Sequence, residues 1–193
     1  MNGSNYSAYA LSKSPVQVRV FAMLSRIARY KWLLALASSV FALDQLSKAW
    51  VVNNLPFNAY FPPESIVVIP SFFNIVHLGN TGAAWGIFQG MSHWLGLLAI
   101  TALTAIFVFR RFLHLDLPAV QVSFGLLCGG IAGNLIDRMQ HGYVVDFLDF
   151  HFGSFIWPAF NVADAGIVVG VGIYVLFSFI RPSAIERKGD GSA

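Results

Sequence analysis

The sequence predicts an integral membrane protein, an all-α bundle of four transmembrane helices carrying a small extracytoplasmic β-sheet. Three observations predict it. The 193-residue chain is 56% apolar and only 11% charged, whereas soluble domains run near a quarter charged. Four apolar stretches approach the roughly 17–25 helical residues that a bilayer requires. The Lys and Arg residues gather in short segments between those stretches, a topology signal. The net charge of +3 therefore points to no nucleic-acid partner.

A polar arm, 1–31, opens the chain and is expected to be cytoplasmic. Within it Val16 to Tyr30 mixes apolar residues with arginines and reads as an amphipathic helix on the inner membrane surface, while 1–15 reads equally well as disordered. The first span covers about Trp32–Val52. Ser39-Val40-Phe41-Ala42 resembles a signal-peptide cleavage site, but the apolar run continues past it, so an uncleaved span is expected. An outer loop at 53–90 follows, then a second span at about Trp94–Phe109, short unless its flanks extend it. A turn at 110–118 leads to the third span, about Ala119–Ile136, which holds the lone Cys128 as a small buried hydrophobe. A second outer loop, 137–161, precedes the fourth span at about Val162–Ile180, and a cytoplasmic tail at 182–193 ends the chain.

Orientation follows from the basic residues. Lys13, Arg19, Arg26, Arg29 and Lys31 precede the first span, Arg110 and Arg111 separate the second and third, and Arg181, Arg187 and Lys188 follow the fourth. The 53–90 loop has no Lys or Arg, and 137–161 has only Arg138. Both termini are thus expected in the cytoplasm and both long loops outside. Those loops hold β-rich segments: Ser65–Ile69, Phe73–His77, Tyr143–Phe147 and Phe152–Trp157. They are expected to pair into a sheet on the outer surface, with Trp85, Trp94 and Trp157 at the interface. No internal repeat is visible, which argues against an inverted-repeat transporter.

Polar residues in or beside the apolar stretches are the functional candidates, because ionisable groups are costly at membrane depth. Asp44 lies thirteen residues beyond Lys31, roughly 20 Å into the membrane at 1.5 Å per residue. Lys48, one turn on, can pair with it. Asn134 and Asp137 follow Pro118 by roughly 24 and 29 Å of helix. Asn161 reads as an N-cap and Asp164 as a first-turn carboxylate; Asp146 lies in the loop just before. Each has an ordinary structural reading, yet all converge on the outer side.

The chemistry narrows by residue type. Asp146, Asp149 and His151 form a tight acidic and imidazole stretch, but strand alternation sends the two aspartates to opposite faces. His77, His93, His114 and His141 add no ligand spacing, so neither metal nor cofactor is expected. No GxSxG motif is present, and Cys128 has no basic partner for nucleophilic work. Paired aspartates remain. Two carboxyls in a low-dielectric site cannot both ionise, so one takes a proton from water while the other donates one. Asp146 and Asp164 suit those roles, with Asn134 and Asn161 as amide donors to a developing oxyanion.

Five segments then match a family in order and spacing: Leu43-Asp44-Gln45-Leu46-Ser47-Lys48, Asn80-Thr81-Gly82-Ala83-Ala84-Trp85, Gly133-Asn134-Leu135-Ile136-Asp137-Arg138, Val144-Val145-Asp146-Phe147 and Phe160-Asn161-Val162-Ala163-Asp164. The chain resembles the lipoprotein signal peptidases (signal peptidase II) of the bacterial cytoplasmic, or inner, membrane over about Trp32 to Arg181. The resemblance implies four spans with an extracytoplasmic β-cradle, and a monomer. It implies an aspartic endopeptidase that cuts diacylglyceryl-modified prolipoproteins just before the lipidated cysteine and is inhibited by globomycin-type peptides. Carried over by motif, Asp146 and Asp164 would be the catalytic pair. Asp44, Lys48, Asn80, Gly82, Asn134, Asp137, Arg138 and Asn161 would support it or hold substrate. Trp85 departs from the family's usual Phe, the arm is longer than the family needs, and His141 and Asp149-Phe150-His151 have no assigned role. Two rivals make different demands. A proton-relay transporter would space its carboxylates through the membrane, and a lipid-binding protein would not need both Asp146 and Asp164.

Overall fold

The computed structural model describes residues 14–180; the readings made for 1–13 and for 181–193 lie outside the described residues. The chain divides at Lys31 into two units. In the first, α1 spans Pro15–Ala28 and starts on a capping box: Ser14 Oγ accepts the Gln17 amide while Gln17 Oε1 accepts the Ser14 amide. Pro15 at the first helical position loses no hydrogen bond there.

The second unit combines four helices with one sheet. Helix α2 (Lys31–Asn54) buries Val40, Asp44, Lys48 and Val51, a spacing of three and four that keeps one face inward. Helix α3 covers Ser92–Val108, α4 Pro118–His141 and α5 Val162–Ile180. In α3 the Thr101 and Thr104 hydroxyls bond to the carbonyls of Leu97 and Ile100, which satisfies them within the helix. Helix α4 stops at Gly142, whose φ of +77° closes the last turn onto the Arg138 carbonyl.

Small residues on α4 let its neighbours approach closely. A Cβ on Gly129 would meet the Ala37 backbone and Val40 of α2, and one on Gly130 would meet the backbone of Ala163 on α5. Such contacts replace the hydrophobic drive that helices lack in lipid.

The sheet is antiparallel, in the order β1 (Ile66–Ile69), β2 (Phe73–Asn80), β3 (Val144–Phe152), β4 (Phe155–Phe160). In register, Asn80 faces Val144 and Leu78 faces Asp146. Val145 and Phe147 of β3 pack with Val51, Leu55 and Ala59, joining the sheet to the end of α2. The first three expected segments form strands, the second and third extending further than expected, whereas the fourth, Phe152–Trp157, straddles the turn at Gly153-Ser154 between β3 and β4, and β4 runs on to Phe160.

Two helices, Pro118–His141 and Val162–Ile180, are long and apolar enough to cross a membrane, and Ser92–Val108 is apolar but shorter. At 17 residues, α3 reaches roughly 26 Å against a hydrocarbon core of about 30 Å. Helix α2 has the length, 24 residues, but carries Asp44 and Lys48 within it. The helical and sheet components are therefore present, and the described residues supply two spans by length and apolarity where four are expected.

Candidate active site

Three helices and one strand deliver the predicted polar residues to one place. Asp146 stands on β3, followed by the β3–β4 hairpin and then Asn161, which caps α5. The Asn161 Oδ1 accepts the Asp164 amide at 2.9 Å, and Asp164 Oδ2 accepts the Asn161 amide at 3.3 Å, a reciprocal cap. With its backbone and oxygen so engaged, Asn161 turns Nδ2 outward to donate to Asp146 Oδ1 at 2.7 Å. One residue therefore touches both carboxyls.

The other oxygens are held by amides as well. Asn80 Nδ2 donates to Asp146 Oδ2 at 3.0 Å, and its Oδ1 accepts the Gly82 amide at 2.9 Å. Asn134 Nδ2 donates to Asp164 Oδ1 at 2.7 Å. Both Asn134 and Asn161, expected from sequence as oxyanion donors, thus have their amides committed to carboxyls. Asp146 is 3% exposed. Its pKa is raised from 3.8 to about 7: burial is the largest cause, the nearby Asp164 charge adds to it, and the Asn80 and Asn161 hydrogen bonds and the Lys48 charge oppose the rise.

Beneath this pair lies a second polar group. Lys48 Nζ is 2.8 Å from Asp44 Oδ2 and 2.8 Å from Asp137 Oδ2, and donates to Asn134 Oδ1 at 3.0 Å. Asp44 Oδ1 also accepts the Ala163 amide, and Asp137 Oδ2 the Val145 amide. Asp137 therefore faces inward to α2 and β3 and not the headgroups. Gln45, quoted within its motif but given no role from sequence, ties the group together: its Nε2 donates to Asp137 Oδ1 at 2.9 Å and also reaches Asp44 and Gly133. Its place beside Asp44 and three residues before Lys48 was the available signal.

The carboxyl pair borders a cavity of about 930 Å³ whose wall includes Phe150, Phe152, Trp157, Ile167, Val168 and Arg138. Arg138 is fixed by donating to the Gly82 carbonyl at 2.9 Å and the Asn134 carbonyl at 3.2 Å, and its buried Nε has no partner among the described residues. Trp85 meets Trp157 edge-on, with ring centroids 5.4 Å apart. Asp149 and His151 do not join this site: His151 Nε2 lies 2.6 Å from Asp149 Oδ2, which also accepts from Asn74.

Apolar membrane-type helices, with two bridged carboxyls at the rim of an apolar cavity, fit the class of membrane enzymes. The sequence profile described as Signal peptidase (SPase) II matches residues 36–180. A lipoprotein signal peptidase of Shewanella loihica is 42% identical over 167 residues, covering 84% of this chain and 91% of the relative. One from Syntrophotalea carbinolica is 40% identical over 155 residues, covering 78% and 92%. A bacterial membrane enzyme solved by the in meso method at 2.3 Å aligns with a TM-score of 0.70 at 32% identity, covering 79% of this chain and 90% of that one. A second such structure, at 1.9 Å, gives 0.63 at 32% identity, covering 75% and 90%. The chain belongs to the signal peptidase II family and is a membrane protease.

Proposed function

We propose that this enzyme removes the signal peptide from diacylglyceryl-modified prolipoproteins, cutting just before the lipidated cysteine, with Asp146 and Asp164 as its catalytic pair. The observation that carries the reading is the Asn161 bridge, which holds the buried Asp146 carboxyl and the half-buried Asp164 carboxyl together beside an apolar cavity. Asp146, raised to about 7, holds the shared proton and Asp164 is the base. Asp164 takes a proton from water as the hydroxide oxygen bonds to the scissile carbonyl carbon. Asp146 gives its proton to the carbonyl oxygen; as the tetrahedral intermediate collapses that proton returns to Asp146, and Asp164 passes the proton it took from water to the nitrogen while the amide C–N bond breaks. Arg138 Nε–H is the donor open to that oxygen. The acyl chains, lying in the cavity, fix the bond at the pair, so binding energy remote from the reaction orients it.

The topology that suits this chemistry has four spans in the bacterial inner membrane, with both termini cytoplasmic and the sheet and pair near the outer face. It keeps a 32–181 peptidase domain between the 1–31 arm and a 182–193 tail. Asn80, Asn134 and Asn161 hold the pair; Lys48, itself fixed by Asp44 and Asp137, holds Asn134; and Gly82 holds Arg138. A monomer suffices, and globomycin-type peptides should inhibit by filling the cavity.

The test is a gel-shift cleavage assay on purified enzyme with lipidated and unlipidated prolipoprotein. Cleavage of the lipidated form alone, with rate losses of about 10²–10⁴ in Asp146→Asn and Asp164→Asn, is expected. Full activity in either variant would remove that residue from the pair. A folded, inactive wild type would favour a lipid-binding role.

A further inference from the structure

The first unit carries its own unexplained pattern. On α1, Val16, Val20, Met23, Leu24 and Ile27 are 68%, 44%, 54%, 54% and 47% exposed. At 3.6 residues per turn they fall within an arc of roughly 100°, a continuous apolar stripe. Arg19 sits along one edge of that arc by the same helical count. Polar Gln17 and Ser25 lie off it. The charge is one-signed as well: Lys13, Arg19, Arg26, Arg29 and Lys31 are basic, and no Asp or Glu occurs before Asp44.

An amphipathic helix with a cationic edge and no acidic residue has one complementary surface, an anionic bilayer. Its apolar stripe enters the acyl boundary while its arginines meet lipid phosphates. A protein partner would supply acidic side chains to a point of contact, whereas here the basic residues run the length of the arm. Only Arg29 and Tyr30 separate α1 from α2, so the helix end is tethered where the first apolar segment begins. We propose that α1 is an interfacial anchor that lies on the anionic inner leaflet and fixes the headgroup level at which α2 starts. This rests on the membrane character of the enzyme and is independent of which residues cleave.

The test uses the full chain in a Cys128→Ala background, spin-labelled singly at positions 20, 24 and 27 on the stripe and 17 and 25 off it. The protein is reconstituted into phosphatidylcholine vesicles with or without phosphatidylglycerol. With the anionic lipid, stripe labels should collide with oxygen and be shielded from an aqueous nickel chelate, while labels at 17 and 25 keep nickel access. Each basic residue near such a surface strengthens binding about fivefold, so Arg19→Glu with Arg26→Glu should return the stripe to nickel access. Stripe labels shielded from both reagents would mean packing against protein and overturn the proposal. Nickel access throughout, or the same immersion in neutral vesicles, would overturn it too. Cleavage activity retained by the double variant separates this result from any failure of the catalytic reading.

Discussion

Two groups of carboxylates share the space between α2, α4, α5 and β3, and they are neutralised differently. Asp44 and Asp137 each lie 2.8 Å from the Lys48 ammonium and each accept a backbone amide. Asp146 and Asp164 receive only amide donors, from Asn80, Asn134, Asn161 and the Asn161 backbone. Arg138, the cation nearest in sequence, directs its two Nη groups to the Asn134 and Gly82 carbonyls. Asp146 is buried as fully as Asp44 and Asp137, so burial alone does not make a carboxyl reactive. The first group is paired with a full cation, while the second is held by neutral amides.

The sharpest way to break this comparison is to remove the cation. Lys48→Met leaves two buried carboxylates unpaired, and breaking a buried pair from one side costs about 3–5 kcal/mol. Thermal unfolding in detergent should show that loss. The triple variant with Asp44→Asn and Asp137→Asn should recover much of it, since a wholly neutral replacement is often tolerated. Activity per folded molecule should also fall in Lys48→Met, because Lys48 Nζ holds Asn134 Oδ1 and so aims Nδ2 at Asp164. A stable, fully active Lys48→Met would mean that the lower group is not ionic.

These two groups were unequally legible in the sequence. Asp44 and Lys48 are one helical turn apart, so their pairing follows from 3.6-residue geometry, and Asn161 precedes an apolar run as an N-cap should. The role of Asp137 was harder. It sits near the end of α4, where a headgroup anchor is an equally good reading, and only the packing of α4 on α2 turns it inward. The amide directions of Asn134 and Asn161 were not readable either, since each amide has a donor and an acceptor end. Which end faces a carboxyl depends on Lys48 for Asn134, and for Asn161 on the Asp164 amide. The sheet was legible as strands because alternating β-branched and aromatic residues suit a pleated surface. Its register, which sets Asn80 beside Asp146, was not.

A second, smaller effect probes how tightly the lower group is built. A Cβ at Gly133 would collide with the Asp44 carboxylate and come within 3.3 Å of the Ala163 Cβ. Overpacking of this kind costs about 1–3 kcal/mol. Gly133→Ala should therefore lower the melting temperature, and it should weaken the hold of Asp44 on the Ala163 amide at the start of α5. Gly142→Ala is the control: its Cβ would meet nothing within 4 Å, but its φ is +77°, so any loss there is backbone strain alone. Equal stability of Gly133→Ala and wild type would show that the α2–α4 contact can open without cost.

The smallest effect distinguishes the upper group by its proton. Asp146 is raised in the folded protein from 3.8 to about 7, so between those values the folded state binds the proton more strongly than the unfolded chain. Its contribution to stability is then complete below about pH 4 and is lost as pH rises through about 7. Comparing wild type with Asp146→Asn at each pH cancels the groups they share, and the difference should move against wild type across that window. Cleavage has the same sign, because a pair that works with one proton fails when that proton leaves. Above the apparent value near 7, the rate should drop about tenfold per pH unit, which is about 1.4 kcal/mol of lost transition-state stabilisation. The value belongs to the pair and not to one residue. A flat rate from pH 6 to 9 would show that cleavage does not depend on a proton leaving Asp146 in that range, and its role as proton donor would fail.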